Sequence, residues 1–129
     1  MADKKKPLVL VVEDDMNSQM LMNYYLRNTY EVDFAVSVTG AKIKLMDQHV
    51  DIILLDLSLE AGEDGLDLAR YIRKEGKWPN MFIIATTAHA FTADRDNCIA
   101  AGCDDYLAKP IKKADLLDMI SKYFSNKDS

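Results

Sequence analysis

Three short runs of apolar residues are distinctive because they contain no polar position. They are Leu8–Val12, Ile52–Leu55 and Met81–Ala85. Each is rich in aliphatic side chains, many of them β-branched, and each is shorter than a typical helix. A strand with this continuous pattern is buried on both faces, as the strands of parallel sheets are. The runs therefore predict three central strands of a sheet that is covered on both sides.

Between these runs, apolar residues recur either at every second position or at the spacing of a helix. Glu31–Ala35 alternates and predicts another strand, and Asp105–Ala108 predicts a short one near the end of the chain. Five segments have apolar residues at helical spacing, with Thr39 as the N-cap of the second and a glycine after the third and fourth. The predicted helices are Met16–Asn28, Ala41–Gln48, Leu66–Lys74, Thr92–Ala101 and Lys113–Phe124.

Strands and helices alternate strictly, which predicts an α/β fold with a five-stranded parallel sheet and five helices on both faces. The crossovers should be right-handed. A chain of 129 residues suits one domain. We expect an N-terminal tail at 1–6, the domain at 7–125 and a C-terminal tail at 126–129. Met1 and the lysines that follow indicate a natural beginning, and whether the domain stands alone or belongs to a longer protein is left open.

Composition and charge narrow the class of protein. Hydrophobic residues make up 49% of the chain, and the formal net charge is -5. That charge argues against a nucleic-acid partner, since the only basic run, Lys4–Lys6, is typical of a solvated tail. No apolar stretch approaches the ~18 residues of a membrane span, and no apolar signal segment follows the lysines. We expect a cytoplasmic protein with no membrane partner, in which Cys98 and Cys103 are free thiols.

The residues at the ends of the predicted strands carry most of the reactive side chains. In a doubly wound sheet the carboxyl ends of the strands share one edge, where ligands bind. Side chains far apart in sequence therefore converge there on one pocket that holds acids, hydroxyls and a lysine. They are Glu13, Asp14 and Asp15 after the first strand, Asp56 after the third, Thr86 and Thr87 after the fourth, and Lys109 and Pro110 after the fifth.

Three neighbouring carboxylates repel one another, so they require a bound cation or raised pKa values. Oxygen ligands without histidine or cysteine favour Mg²⁺ or a similar hard ion. A lysine opposite the acids suits the arrival of a dianionic group, and a hydroxyl can donate to the same group. The chemistry that fits these residues is phosphoryl transfer onto a carboxylate, with the metal and the lysine offsetting the developing charge.

Each of these residues also has an ordinary structural interpretation. Asp14 or Asp15 can cap the first helix, which is the favoured interpretation of an isolated acidic pair after a strand. Asp56 can be a loop acid, Thr87 a strand-end hydroxyl and Lys109 a turn residue. Their joint placement at one sheet edge, in this order, is what favours a functional site.

Through these residues the sequence resembles the receiver domains of two-component response regulators, over about Pro7 to Phe124. The resemblance is greatest to the receivers of hybrid sensor kinases, through the stretches 87–90 and 102–107. It implies a flavodoxin-like sheet of strand order 2-1-3-4-5. The motifs that carry it are Val12-Glu13-Asp14, the run from Asp51 to Asp56, Asp64-Gly65, Thr87-Ala88, Ala101-Gly102, Asp105-Tyr106-Leu107 and Lys109-Pro110.

The resemblance implies an acceptor and a metal site. Asp56 would take the phosphoryl group from a histidine kinase or a histidine phosphotransfer protein. Asp14 would bind Mg²⁺ directly beside Asp56, and Glu13 would assist through a water molecule. The main-chain carbonyl of Ser58 would be the third protein ligand.

It also implies a switch. Thr87 would donate its hydroxyl to the phosphoryl group and Lys109 would pair with it, with the Lys109–Pro110 bond cis. Tyr106 would turn inward on activation, and the surface of the fourth helix, fifth strand and fifth helix would change and alter partner binding. The alternative for Tyr106 is a partly buried aromatic residue without a switching role.

One loop departs from the family pattern. Glu60 stands where many members carry a proline, and the segment from Ser58 to Asp64 is one residue longer than usual. Gly62 within the segment, Gly65 just after it and the acids predict a more mobile, more acidic loop, which bears on the metal geometry at Ser58 and on the phosphoryl lifetime. Ser58 and His89 occupy positions that tune dephosphorylation in the family.

The function expected from the resemblance is a phosphoryl-accepting switch of a two-component or phosphorelay system, and not an enzyme beyond self-catalysed phosphotransfer and autodephosphorylation. We expect a monomer, with dimerisation on activation left open, and an unknown downstream protein.

One alternative is a degenerate receiver that acts as a constitutive interaction module. A phosphatase with an aspartate nucleophile would need a second acid where Ser58 stands, and a flavin protein would need a Ser/Thr/Gly-rich loop where Glu13–Asp15 stands.

Overall fold

The computed structural model describes residues 6–59, 64–88 and 92–128 of the chain. Residues 60–63, which form most of the unusual loop predicted from Glu60 to Asp64, lie outside the described residues. So do His89 and the first five residues of the predicted N-terminal tail.

Strands and helices alternate through the described residues, as the hydrophobic pattern predicted. The strands are β1 (Leu8–Val12), β2 (Glu31–Ala35), β3 (Ile52–Asp56), β4 (Phe82–Thr87) and β5 (Asp105–Ala108). The helices are α1 (Met16–Leu26), α2 (Val38–Asp47), α3 (Gly65–Glu75), α4 (Thr92–Ala101) and α5 (Lys113–Asp128).

The five strands form one parallel sheet of order β2-β1-β3-β4-β5, which confirms the predicted order. The order reverses between β1 and β3, the place where doubly wound folds bind ligands. β1 and β3 end side by side there, with Val12 opposite Leu55. On the next strand Thr86 lies opposite Asp56. The strand ends that carry the candidate residues therefore lie along one edge.

Each face of the sheet is covered by its own apolar core. In β1, Leu10 and Val12 belong to the core beneath α2, α3 and α4, whereas Val9 and Val11 belong to the core beneath α1 and α5. All four side chains are at most 2% exposed. Burying one such aliphatic side chain contributes about 1.5–3 kcal/mol, so a polar residue at any of these positions would be costly. This is why β1 has no polar position.

α2 begins earlier than predicted. Its first residue is Val38, and Ser37 rather than Thr39 is the N-cap, since Ser37 Oγ accepts the N–H of Gly40 at 3.0 Å. The early start places Val38 on the buried side of the helix together with Ala41 and Leu45. The Thr39 prediction was wrong because both hydroxyls can cap a helix and the burial of Val38 decides between them.

β4 ends later than predicted. The predicted strand stopped at Ala85, but Thr86 and Thr87 pair with Leu107 and Ala108 of β5 and are part of the strand. Both threonines are buried. Threonine is β-branched and therefore fits a strand well although it is polar. The end of the apolar run at Ala85 was for this reason not the end of the strand.

The first and last helices also differ from prediction at their ends. α1 stops at Leu26, two residues before the predicted Asn28. α5 passes Phe124 and continues to Asp128, so it occupies most of the predicted tail at 126–129. It has 16 residues, and no helix within the described ranges is both long and apolar enough to cross a membrane.

Cys98 and Cys103 are thiols that form no disulfide with each other, as predicted, and both are buried near the end of α4. The Cys103 N–H donates to the Cys98 carbonyl at 3.0 Å across Gly102, which has a φ of 111°. Burial raises the pKa of the Cys103 thiol to about 12, and the neighbouring Cys98 adds to the effect. Cys103 therefore stays protonated at neutral pH and packs as a small apolar side chain.

Candidate functional site

Carboxylates from two adjacent strands meet at the sheet edge. Glu13 and Asp14 follow β1, and Asp56 is the last residue of β3. Each offers an oxygen atom, and these atoms lie within 4.8 Å of one another. Glu13 and Asp56 are buried, at 5% and 3% exposure. Such a concentration of negative charge away from water is unfavourable unless cations compensate it.

Each carboxylate oxygen of Asp56 has a partner. Its Oδ1 atom accepts the N–H of Ser58 at 3.0 Å, and its Oδ2 atom lies 3.3 Å from Lys109 Nζ. The main-chain contact fixes the orientation of the carboxylate, while the lysine offsets its charge.

Lys109 joins the two buried acids. Besides Asp56 it contacts Glu13, with 3.1 Å between Lys109 Nζ and Glu13 Oε1. Its own N–H donates to the Thr87 carbonyl at 2.7 Å, so the end of β4 fixes the lysine main chain. The bond from Lys109 to Pro110 is cis, as the resemblance implied. The ammonium group thus lies within 3.3 Å of an oxygen of each buried acid.

Burial and charge act on both members of the Glu13–Lys109 pair. Burial raises the pKa of the Glu13 carboxyl above its ordinary value, and the nearby Asp56 carboxylate raises it further, against the opposing effects of the Asp15 N–H and Lys109. For Lys109, burial opposes the charged form, but attraction by Asp56 and Glu13 outweighs it, and the ammonium pKa is raised. The site thus favours a bound cation and disfavours a further uncompensated anion.

The three carboxylates fit a hard divalent cation. All three offer oxygen atoms, no sulfur or imidazole ligand is present in the group, and one ammonium cannot balance three acids. Oxygen ligands with excess negative charge are what Mg²⁺ requires. The residues of the site therefore fit a hard divalent cation, the class to which the predicted Mg²⁺ belongs.

Asp15 caps a helix, whereas Glu13 and Asp14 belong to the group of three carboxylates. It is the N-cap of α1, and its Oδ2 atom accepts from the Ser18 N–H at 2.8 Å and from Ser18 Oγ at 3.0 Å. Those hydrogen bonds lower the Asp15 pKa. The sequence left open whether Asp14 or Asp15 caps the helix, and the structure assigns the cap to Asp15.

The other predicted residues lie around this centre. Thr87 is buried at the end of β4, and Ser58 lies two residues past Asp56, where it forms a bridge with Asp64. Tyr106 lies in β5 opposite Ala85 and packs, partly buried, against the core beneath α2, α3 and α4. Tyr106 is thus on the strand next to Thr87 but is set back from the carboxyl edge.

Two supporting residues were not predicted from the sequence. Gln19 Nε2 donates to the Glu13 carbonyl at 2.6 Å, which ties α1 to the turn after β1. Gly65, the first residue of α3, lies so close to β3 that a Cβ atom there would be 2.6 Å from the Asp56 carbonyl oxygen. No pattern in the sequence marks Gln19. Gly65 was noted only as part of a motif, and its close approach depends on tertiary structure.

A cavity beside the site was also not predicted. It has a volume of about 390 Å³ and lies between α1 and the segment after β5. Its walls are mainly apolar, with Glu13 and Lys109 at one side. α1 contributes Ser18, Leu21 and Met22 to the lining. The same helix also exposes large apolar side chains, with Met16, Met20 and Tyr24 72%, 64% and 57% exposed.

Comparisons with known proteins agree with the geometry. The response regulator receiver domain family matches residues 9–121. Hybrid signal transduction histidine kinase L of Dictyostelium discoideum is 38% identical over 125 residues, which cover 92% of this chain and 7% of the kinase. The transcriptional regulatory protein ResD of Bacillus subtilis is 36% identical over 110 residues, which cover 84% of this chain and 44% of ResD. The chain therefore spans less than half the length of either relative.

A solved structure has a similar fold. A chain from the co-crystal structure of the Saccharomyces cerevisiae histidine phosphotransfer signaling protein Ypd1 and the receiver domain of its downstream response regulator Ssk1 has a TM-score of 0.84 at 26% identity. The match covers 92% of this chain and 89% of that chain. Most of the fold is thus shared with that structure.

The contact between α3 and β3 can be tested with Gly65→Ala. The added methyl group would meet the main chain of Asp56 at 2.6 Å and of Leu57 at 3.3 Å. Because neither can move without displacing β3, we expect the free energy of unfolding to fall by about 2 kcal/mol. Urea denaturation of both proteins measures the difference.

Gly40→Ala in α2 is the matched control. A Cβ atom there would lie 3.2 Å from Ser37 Oγ, a side-chain atom that can adjust, and alanine favours the helix. We expect a change within about 1 kcal/mol. An equal loss of stability in both variants would contradict a special close approach at Gly65.

Proposed function

The chain belongs to the response regulator receiver domain family, and on this premise we propose that it is a phosphoryl-accepting switch whose acceptor is Asp56. The observation that carries the proposal is the pairing of Asp56 with Lys109 inside a group of three carboxylates. A buried carboxylate that is fixed at both oxygens and faces a cation is suited to receive a phosphoryl group.

In the transfer, a carboxylate oxygen of Asp56 forms a bond to phosphorus while the bond from phosphorus to the donor imidazole breaks. The imidazole keeps the electron pair of the broken bond. Lys109, whose pKa is raised, remains an ammonium throughout and offsets the charge of the incoming group. The Ser58 N–H holds the Asp56 carboxylate in place during the attack.

A divalent cation completes the charge balance. Asp14 and Asp56 would hold Mg²⁺, with Glu13 assisting through water and the Ser58 carbonyl as a further ligand. Bound there, the ion would supply positive charge to the oxygens of the transferred group. The support for this assignment is the oxygen-only set of three acids within 4.8 Å.

Phosphorylation then changes the surface of the domain through movements of Thr87 and Tyr106. The phosphoryl group on Asp56 draws the Thr87 hydroxyl towards it, and Tyr106 turns into the space that this movement leaves. The position of the two residues on adjacent strands supports their coupling. The face made by α4, β5 and α5 changes as a result and alters the binding of a downstream protein, with the domain itself a monomer that can dimerise on activation.

The donor is a histidine kinase or a histidine phosphotransfer protein. The cavity beside α1 is lined by Glu13 and Lys109, which contact each other beside Asp56, so a donor docked on α1 would stand next to the site. The exposed apolar side chains of α1 form a surface on which a donor can dock. The likeness to a receiver solved together with Ypd1 supports this class of donor.

The acceptor is tested by weighing the intact protein after incubation with Mg²⁺ and acetyl phosphate. The parent should gain the mass of one phosphoryl group and Asp56→Asn should gain none, because an amide cannot form the acyl phosphate. Asp47→Asn, an exposed acid of α2, is the control and should behave as the parent.

Two outcomes would count against this proposal. An equal adduct on the parent and on Asp56→Asn would place the phosphoryl group elsewhere. The absence of any adduct on the parent would favour a degenerate receiver that acts as a constitutive interaction module.

Donor docking is tested with Met20→Glu in α1. A charge in an apolar contact should slow phosphoryl transfer from a phosphohistidine by about tenfold, since burying a methionine is worth about 1.5–3 kcal/mol. Phosphorylated Ypd1 is a suitable first donor. The rate with acetyl phosphate should stay the same, since a small donor needs no docking surface.

Ile43→Glu in α2 is the matched control, because Ile43 is an exposed apolar residue too, at 58% against 64% for Met20. It should leave both rates unchanged. Equal slowing in the two variants, or slowing with acetyl phosphate as well, would contradict a docking role for α1.

A further inference from the structure

A groove of about 500 Å³ lies between β5 and α5. It is on the sheet face opposite the core that Tyr106 contacts, since Leu107 belongs with the core beneath α1 and α5. β5 is an outer strand of the sheet, and no strand within the described ranges pairs with its other side. The groove therefore borders an open sheet edge, a common place for a partner to bind.

The floor of the groove is apolar and held in place. Leu107 and Met119 are partly buried and pack against the core. Beside them Phe82 stacks on Tyr123, with the ring centres 4.0 Å apart, and the Tyr123 hydroxyl donates to the Asn80 carbonyl. Such a floor can receive an aliphatic side chain with little ordering cost.

The rim of the groove is acidic. Asp105, Asp115 and Asp118 line it, and Lys122 is the one basic residue of the lining. Lys122 already pairs with Asp118, at 3.3 Å between Nζ and Oδ2. Asp115 and Asp118 are exposed on α5. The rim thus keeps an excess of negative charge around an apolar floor.

We propose that the groove between β5 and α5 is the docking site for a basic segment of a partner protein that carries an aliphatic side chain. The aliphatic side chain packs on Leu107 and Met119, and the cations pair with Asp115 and Asp118. Charge complementarity around an apolar centre is the usual arrangement of a specific protein interface.

The same charges argue against a second copy of the chain as the occupant. A two-fold contact brings the same surface patch of both copies together. Two acidic rims would then meet, each with Asp105, Asp115 and Asp118 against Lys122 among the described lining residues. A different protein with a basic segment fits the groove better.

The inference rests on the proposed function in one respect, because it gives the chemistry of the downstream partner at the β5 and α5 part of the face made by α4, β5 and α5. The groove itself is remote from the acceptor. Phe82 and Asp105 are the first residues of β4 and β5, at the other end of the strands from Asp56. Binding can therefore be measured on the unphosphorylated protein, independently of Asp56.

The test is the affinity of a fluorescein-labelled peptide of alternating lysine and leucine, followed by anisotropy. The variant Asp115→Asn with Asp118→Asn should bind about fivefold more weakly than the parent, as two exposed ion pairs are lost. The control, Asp47→Asn with Glu75→Gln, removes the same charge from α2 and α3, on the other face of the sheet, and should change the affinity by less than about twofold. A peptide with serine in place of leucine should bind the parent about tenfold more weakly.

Three outcomes would overturn the inference. Equal weakening in the two double variants would mean that the net charge of the protein, and not the groove, attracts the peptide. Equal affinity of the serine and leucine peptides would mean that the apolar floor is not used. A dimer of the parent in sedimentation that disappears in Asp115→Asn with Asp118→Asn would identify a second copy as the occupant. Each measurement uses unphosphorylated protein, so a negative result for the groove does not bear on Asp56 as the acceptor. A negative result for Asp56 likewise does not bear on peptide binding in the groove.

Discussion

The Lys109 ammonium lies 3.1 Å from Glu13 Oε1 and 3.3 Å from Asp56 Oδ2, and this contact allows two buried carboxylates to stand beside each other at the sheet edge. A single lysine can do this only if β1, β3 and the end of β5 converge, which the strand order brings about. The negative charge that Lys109 does not balance favours the binding of a further cation at the site. Fold and chemistry are therefore linked by one electrostatic requirement at the carboxyl ends of the strands.

Around this charged centre the main chain acts as a rigid frame. The Ser58 N–H fixes one oxygen of Asp56, Gln19 ties the turn after β1 to α1, and the missing side chain of Gly65 lets α3 approach β3 closely. The apolar cores on both sides of the sheet prevent the strand ends from moving apart. Such a frame can hold the reacting carboxylate in one orientation while the surrounding surfaces remain available to partners.

Much of the fold follows from local sequence, because β1 and most of β3 and β4 are buried on both faces and are apolar there, with polar residues only at the carboxyl ends of β3 and β4. The candidate site was predictable for a related reason, since reactive residues at strand ends must converge once the sheet is parallel. The remainder depended on tertiary contacts. Ser37 or Thr39 can cap α2 equally well by type, and only the burial of Val38 selects Ser37. The groove beside β5 depends on side chains from three elements, which no local pattern brings together.

Locating the phosphoryl group chemically tests the assignment of Asp56 as acceptor most directly. The protein is phosphorylated by a phosphohistidine donor in the presence of Mg²⁺, reduced with borohydride, digested and sequenced by mass spectrometry. Borohydride converts an aspartyl phosphate to homoserine, so we expect homoserine at position 56 alone. Homoserine at Asp14 or at another aspartate, with position 56 unchanged, would contradict it.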